Sequence, residues 1–186
     1  MKILYLHQYF KTPSMSGGTR SYEVAKRLVK EGHQVEMITS FTEPTVAKDW
    51  YEETIDGINV HWYPNQYSNM MSYKARIKAF IKFATAATQK AASFKDADII
   101  FATSTPLTIA LPASLAAKLL KIPMVFEVRD LWPEVPIALG ALKKPYEKYL
   151  AKKLEKFAYN NSSHIIALSP GMKEGIRNTG YPEDRI

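Results

Sequence analysis

Six short apolar segments recur along the chain, each separated from the next by a longer stretch, and this alternation leaves few folds open. The segments "KILYL" (2–6), "QVEMIT" (34–39), "INVHWY" (58–63), "DIIFAT" (98–103), "PMVFEV" (123–128) and "HIIALS" (164–169) are rich in β-branched or aromatic residues. Most lack an in–out alternation, as expected of strands covered on both faces of a parallel sheet. Most of the intervening stretches carry helical patterns. The clearest spans 19–32, where Tyr22, Ala25, Leu28 and Val29 make an apolar stripe and Gly32 is a C-terminal stop. Others run over about 73–94, 107–121 and 146–160. The pattern predicts an α/β fold, a doubly wound, mostly parallel, Rossmann-like sheet with right-handed crossovers. Residues 41–57 are long and polar for a simple crossover connection and read as a mobile or functional loop.

At 186 residues the chain can bury one sizeable core. It has no cysteine, which excludes disulfides, thiolate metal sites and a cysteine nucleophile. "MKILYLHQYF" is too short and polar for a secretory leader, and no run approaches the roughly 18 apolar residues of a spanning helix. The expected location is therefore cytoplasmic. Twenty-five basic against 18 acidic residues give a formal charge of +7, which favours polyanionic partners. Nucleic acid is disfavoured, because no helix-turn-helix, finger or RNP-like aromatic motif accompanies the charge.

In such sheets ligands bind beyond the carboxyl ends of the strands. Three loops qualify: those after residues 7 and 103, and "RDLWPE" (129–134). The first, "HQYFKTPSMSGGTR" (7–20), lacks the G-x-G-x-x-G fingerprint, which argues against a dinucleotide-dependent oxidoreductase. Its Gly17 and Gly18 come late, just before Thr19. They read either as a phosphate approach at a helix N-terminus or as a flexible loop capped by Thr19. Arg20 either adds a contact to phosphate or lies solvated, and His7 reads as a satisfied core or rim histidine. No nucleophile elbow is present, which counts against a hydrolase.

Two segments are basic and amphipathic. Lys74, Lys78 and Lys82 share one helical face, adjoined by Ile77, Phe80, Ile81 and Ala84. Lys148, Lys152 and Lys156 likewise flank Tyr146, Leu150, Leu154 and Phe157. Such helices suit an anionic membrane surface, or are core-packed helices with solvated lysine faces.

Taken in order, "MKILYLHQYF", "GGTR", "LVKEGHQVEMITS", "FEVRDLWPE" and "SHIIALSPGMKEGI" resemble the N-terminal half of the family 4 glycosyltransferases, which have the two-domain GT-B fold. "FEVRDLWPE" in particular is similar to bacterial transferases that build O-antigen and capsule repeats, including N-acetyl-fucosamine transferases. The resemblance covers essentially the whole chain. It implies retaining transfer of a hexosyl or N-acetylaminosugar unit from a nucleotide-diphosphate sugar, usually a UDP-sugar, with no metal or other cofactor required. It also implies that residues 1–186 are the acceptor-side domain. The donor-binding domain, with its basic pair and E-x7-E motif, would then lie outside this chain, which alone would be inactive. The implied acceptor is a polyprenyl-diphosphate-linked saccharide, and the enzyme would sit peripherally on the inner face of the plasma membrane through Lys74, Lys78 and Lys82.

By the same resemblance Gly17 and Gly18, with Arg20 beside them, face the donor diphosphate. Asp130 falls where the family places a polar residue, often histidine, near the reacting centre; here a carboxylate stands instead. Ser104, Thr105, Glu127, Arg129, Trp132 and Glu134 become candidates for acceptor binding. In "EVRDLWPE" the strand period turns Glu127 and Arg129 to one face and Asp130 to the other, which argues against a 127/130 carboxylate dyad. Asp130 is placed to accept from a hydroxyl. Arg129 pairs Glu127 or Glu134, or meets a phosphate, and Trp132 either stacks on a sugar or enters the core. The alternative to an enzyme is a non-catalytic, basic Rossmann-like module on a membrane or other polyanion, recognisable by a salt-dependent affinity with no response to nucleotide.

Overall fold

The computed structural model describes residues 1–68, 70–140 and 142–186. Its first half runs β1 (Lys2–Leu6), α1 (Arg20–Lys30), β2 (Gln34–Phe41), β3 (Tyr51–Ile55), β4 (Ile58–Pro64) and α2 (Tyr73–Ser93). The second runs β5 (Ile99–Thr103), α3 (Ala110–Leu120), β6 (Met124–Val128), α4 (Glu134–Ala138), α5 (Pro145–Asn160), β7 (His164–Ala167) and α6 (Pro170–Asn178). The seven strands form one sheet in the order β3-β4-β2-β1-β5-β6-β7. Every neighbouring pair is parallel except β3–β4. This is the doubly wound α/β fold that the alternating segments predict.

Continuous apolar runs work here because both faces of the sheet are covered. Tyr22 and Ala25 of α1 pack with Tyr5, Met37 and Val60 in one core. Phe83 and Ala87 of α2, Ala113 and Ala116 of α3, and Ala158 of α5 fill the other against Leu4, Leu6 and Ile100. The chain leaves β1 towards β2 on one side and returns at β5 on the other. The strand order therefore reverses at β1, and the carboxyl ends of β1, β5 and β6 open onto the crevice where α/β sheets hold ligands.

Helix α1 stops as expected. Gly32, at φ +83°, takes the left-handed position, with its N–H on Val29 O and that of His33 on Leu28 O. Thr19 does occupy the cap position at its start, but its side chain makes no capping hydrogen bond.

Three expectations need correction. Residues 41–57 are not simply a loop: they contain β3, an exposed edge strand that forms an antiparallel hairpin with β4 through Asp56 (φ +48°) and Gly57 (φ +82°). That Asp-Gly pair is the turn signal hairpins favour. Helices α4 and α6, absent from the sequence reading, complete the carboxyl edge. And the apolar stripe of α2 is not the one that enters the core. Ala79, Phe83, Ala87 and Ala91 are buried, whereas Ile77 and Ile81 are exposed with the lysines. Among the described residues no helix is long and apolar enough to cross a membrane.

Candidate active site

The carboxyl ends of β5 and β6 are joined by hydrogen bonds that fix the loops beyond them. The Ser104 N–H donates to Glu127 O, at 3.0 Å, and the Arg129 N–H donates to Ser104 Oγ at 3.0 Å. One residue further out, Thr105 Oγ1 donates to Asp130 Oδ2 at 2.8 Å. Asp130 is exposed while Ser104 is buried, so the carboxylate stands on a rigid base and faces outward.

Glu127, the last residue but one of β6, holds its carboxylate inside the protein. It is 1% exposed, and such a charge needs partners. The partner is Arg20, from the first turn of α1, whose Nε and Nη2 both reach Oε1 at 2.9 and 2.7 Å. Thr103 Oγ1 donates to the other oxygen, Oε2, at 3.0 Å and lies 3.2 Å from the Tyr5 hydroxyl. Burial pushes that tyrosine up to about 12. The Glu127 cluster thus ties the N-terminus of α1 to β6, and with it the Gly17–Gly18 turn to the Asp130 loop. Gly17 sits at φ +135°, a conformation glycine adopts freely, and both glycines are exposed.

The structure therefore brings together Gly17, Gly18, Arg20, Ser104, Thr105, Glu127, Arg129 and Asp130 along one edge of the sheet. Of the roles open to Arg129 in the sequence, an ion pair with Glu127 or Glu134, or a phosphate contact, the ion pair does not form. Among the described residues no carboxylate lies within 4.0 Å of the Arg129 guanidinium, because Arg20 already neutralises Glu127. Neither is the expected two-faced strand seen: β6 ends at Val128, so Arg129 and Asp130 belong to a bend rather than to a pleat.

Trp132 is half-buried against the larger core, beside Leu131. Glu134 starts α4 and lines a cavity of about 530 Å³ with Glu155 and Tyr159 of α5 and Thr179 beyond α6. Burial, and then the charge of Glu134, push Glu155 up to about 7 despite its bond to Tyr159. Lys74, Lys78 and Lys82 lie on the first half of α2, outside these hydrogen bonds.

His7 differs from its sequence reading. It is 2% exposed and its Nδ1 has no hydrogen-bond partner among the described residues; the same holds for Nε2 of the neighbouring Gln8. Burial, reinforced by the positive Arg129, lowers the imidazole to about 3, so it is neutral at physiological pH. Unpaired buried polar atoms are uncommon in folded proteins, and here two sit at the end of the central strand. Only their place beyond "KILYL" could have marked them in the sequence. Gly175 was also missed: a Cβ there would stand 2.5 Å from Leu131 Cδ1, so this glycine lets α6 pack on the Asp130 loop.

A family model described as "Glycosyl transferase 4-like domain" matches residues 17–186, and the chain belongs to that family. No curated protein matches it. Among solved structures it is similar to sucrose-phosphate synthase from Thermosynechococcus elongatus, with 12% identity and a TM-score of 0.65 over 95% of this chain and 81% of the other. It is also similar to the Anabaena protein HepE in complex with UDP and glucose, with 19% identity and a TM-score of 0.54 over 100% of this chain and 42% of the other. UDP-GlcNAc 2-epimerase from Neisseria meningitidis, bound to UDP-GlcNAc, gives 15% identity and a TM-score of 0.55, covering 100% of this chain and 45% of that one. The chain spans less than half the length of the last two. These likenesses establish the GT-B-type, Rossmann-like fold.

Proposed function

We propose that the chain is the acceptor-side domain of a retaining glycosyltransferase. It would move a hexosyl or N-acetylaminosugar unit from a UDP-sugar to a lipid-linked saccharide during assembly of a cell-surface polysaccharide of the O-antigen or capsule type. The observation that carries the reading is the meeting, at one strand edge, of the glycine turn before α1 with the Thr105–Asp130 pair, in a chain of this family. In this reading Asp130 Oδ1 accepts a hydrogen bond from the acceptor hydroxyl while Thr105 holds Oδ2. The hydroxyl oxygen bonds to the anomeric carbon on the face from which the diphosphate departs, so configuration is retained; the bond to the diphosphate breaks, and the proton passes to Asp130 or the departing phosphate.

Gly17, Gly18 and the free N–H groups of the first turn of α1 approach the diphosphate, the remainder of which is held by a second domain. Arg20 keeps three N–H groups beyond the two it gives Glu127. Arg129, Thr105 and Trp132 line the acceptor side, while the buried Ser104 and Glu127, with Glu134, support it from behind. No metal or further cofactor takes part. The acceptor lies in the inner leaflet of the plasma membrane, approached through Lys74, Lys78 and Lys82.

The test is transfer by the full-length protein from UDP-sugars to polyprenyl-diphosphate saccharides. Transfer supports the reading. A chain that binds anionic vesicles and gives no nucleotide-dependent reaction is instead a docking module, the second reading, which the lysine-rich α2 favours.

A further inference from the structure

The two faces of the sheet differ in what they show to solvent. On the α1 face the helix exposes no large apolar side chain: Val24, Leu28 and Val29 are all at least partly covered by the core. The opposite face does the reverse. Ile77 and Ile81 of α2, Leu111, Leu115 and Leu119 of α3, and Leu150 of α5 are all exposed. The α3 residues are spaced i, i+4, i+8 and form a row along the middle helix, rising to 63% exposure at Leu119. Helix α2 packs beside α3, and Lys118 of α3 reaches over the Phe157 ring of α5, so the three outer faces adjoin. Exposed apolar area of this extent marks an interaction surface.

Its charge says what kind. The three helices carry ten basic and two acidic residues, and α2 and α3 carry no acid at all. On α2 the isoleucines lie between Lys74, Lys78 and Lys82, which line a groove of about 440 Å³ with them. Tyr146 and Tyr149, exposed at the start of α5, have lysine ammonium groups over their rings. Apolar side chains interleaved with lysines, with tyrosines at one end, match a bilayer interface with anionic headgroups. A protein partner of matching shape would need an acidic rim, and a second copy would set lysine against lysine.

Direction follows from topology. Crossover helices run against the strands, so the first turns of α2, α3 and α5 lie at the carboxyl edge of the sheet, where Asp130 is. Most of the exposed apolar residues fall there: Ile77 and Ile81 in the first half of α2, Tyr146, Tyr149 and Leu150 at the start of α5, and Leu139, 79% exposed, just after α4.

We propose that the joint outer face of α2, α3 and α5 inserts into an anionic bilayer, with the leucine row of α3 entering the interface and the Asp130 edge held at the membrane surface. This deepens the proposed function by giving the lipid-linked acceptor a route to the site, and it goes beyond electrostatic contact by α2 alone. The test is flotation of the chain with phosphatidylcholine vesicles containing, or lacking, phosphatidylglycerol.

Binding is expected only with phosphatidylglycerol. Reversing Lys74, Lys78 and Lys82 to Glu should weaken it by about a hundredfold or more, at roughly 1 kcal/mol for each lysine. Leu115→Gln with Leu119→Gln, both at exposed positions, should lower it severalfold even at low salt, with an unchanged circular-dichroism melt. Binding that ignores the leucines, no binding at all, or a dimer that only the leucine variant dissolves would each overturn the proposal. Transfer to a water-soluble acceptor by the full-length protein separates the two readings: it should survive in the leucine variant, and its absence in the parent would count against the transferase and not against the membrane face.

Discussion

Arg20 and Glu127 are 107 residues apart and meet where a carboxylate enters the interior. Removing the acid leaves a guanidinium with a side chain 43% exposed, which water can solvate; removing the base leaves a buried anion with one hydroxyl for company. Arg20→Ala should therefore be the costlier change, on the order of 2–3 kcal/mol, and Glu127→Gln the milder, as urea unfolding would show.

Two of the shifted groups, His7 and Glu155, act in opposite senses. For His7 the folded value, about 3, lies below the unfolded value of 6.5. Unfolded chains take up the proton first, so stability is lost as pH falls below 6.5. For Glu155 the folded value, about 7, lies above the unfolded 4.5, and the folded chain takes up the proton first. Stability is gained as pH falls from 7 to 4.5. His7→Asn should leave stability rising towards pH 4.5, and Glu155→Gln should leave it falling from pH 6.5, each by at most about 1.4 kcal/mol per pH unit. Urea midpoints between pH 4.5 and 7.5 test both; two variants that track the parent would refute the assignments.

At the scale of elements, glycine positions carry the sharper predictions. Gly57 has φ +82°, and a Cβ there would lie 2.8 Å from Val29 Cγ1. Gly57→Ala should cost about 1–2 kcal/mol and loosen β3, seen as faster amide exchange along the hairpin. Gly175→Ala should displace Leu131, next to Asp130, so that turnover falls more than the melting temperature does.

The same scale shows what the sequence could reveal. Six strands were legible because buried parallel strands are apolar without interruption. Strand β3 was not, since "YEETI" is a polar edge strand whose support is a neighbour rather than a core; the Asp-Gly turn after it was the available signal. In α2, periodicity grouped Ile77 with Ile81 correctly but could not say which stripe meets the sheet. Small residues and Phe83 do, because α2 lies close against α3. The strand-edge loops were legible as site candidates from topology. The Arg20–Glu127 bond and the His7 Nδ1 without a partner among the described residues were not, because neither leaves a local pattern.

For the whole molecule, the family match places the chain among glycosyltransferases, while the fold itself is shared with an epimerase. Fold alone therefore does not select the chemistry; residues at the strand edge must. Asp130 is the group there that is exposed, anchored through one oxygen and open at the other. The most direct measurement is single-turnover transfer by full-length Asp130→Asn, with UDP binding and thermal unfolding followed alongside. The account predicts a fall of about 10²–10⁴-fold in transfer, with UDP affinity and unfolding unchanged. Transfer within a factor of about two of the parent, far short of what losing an acid–base group costs, would contradict it.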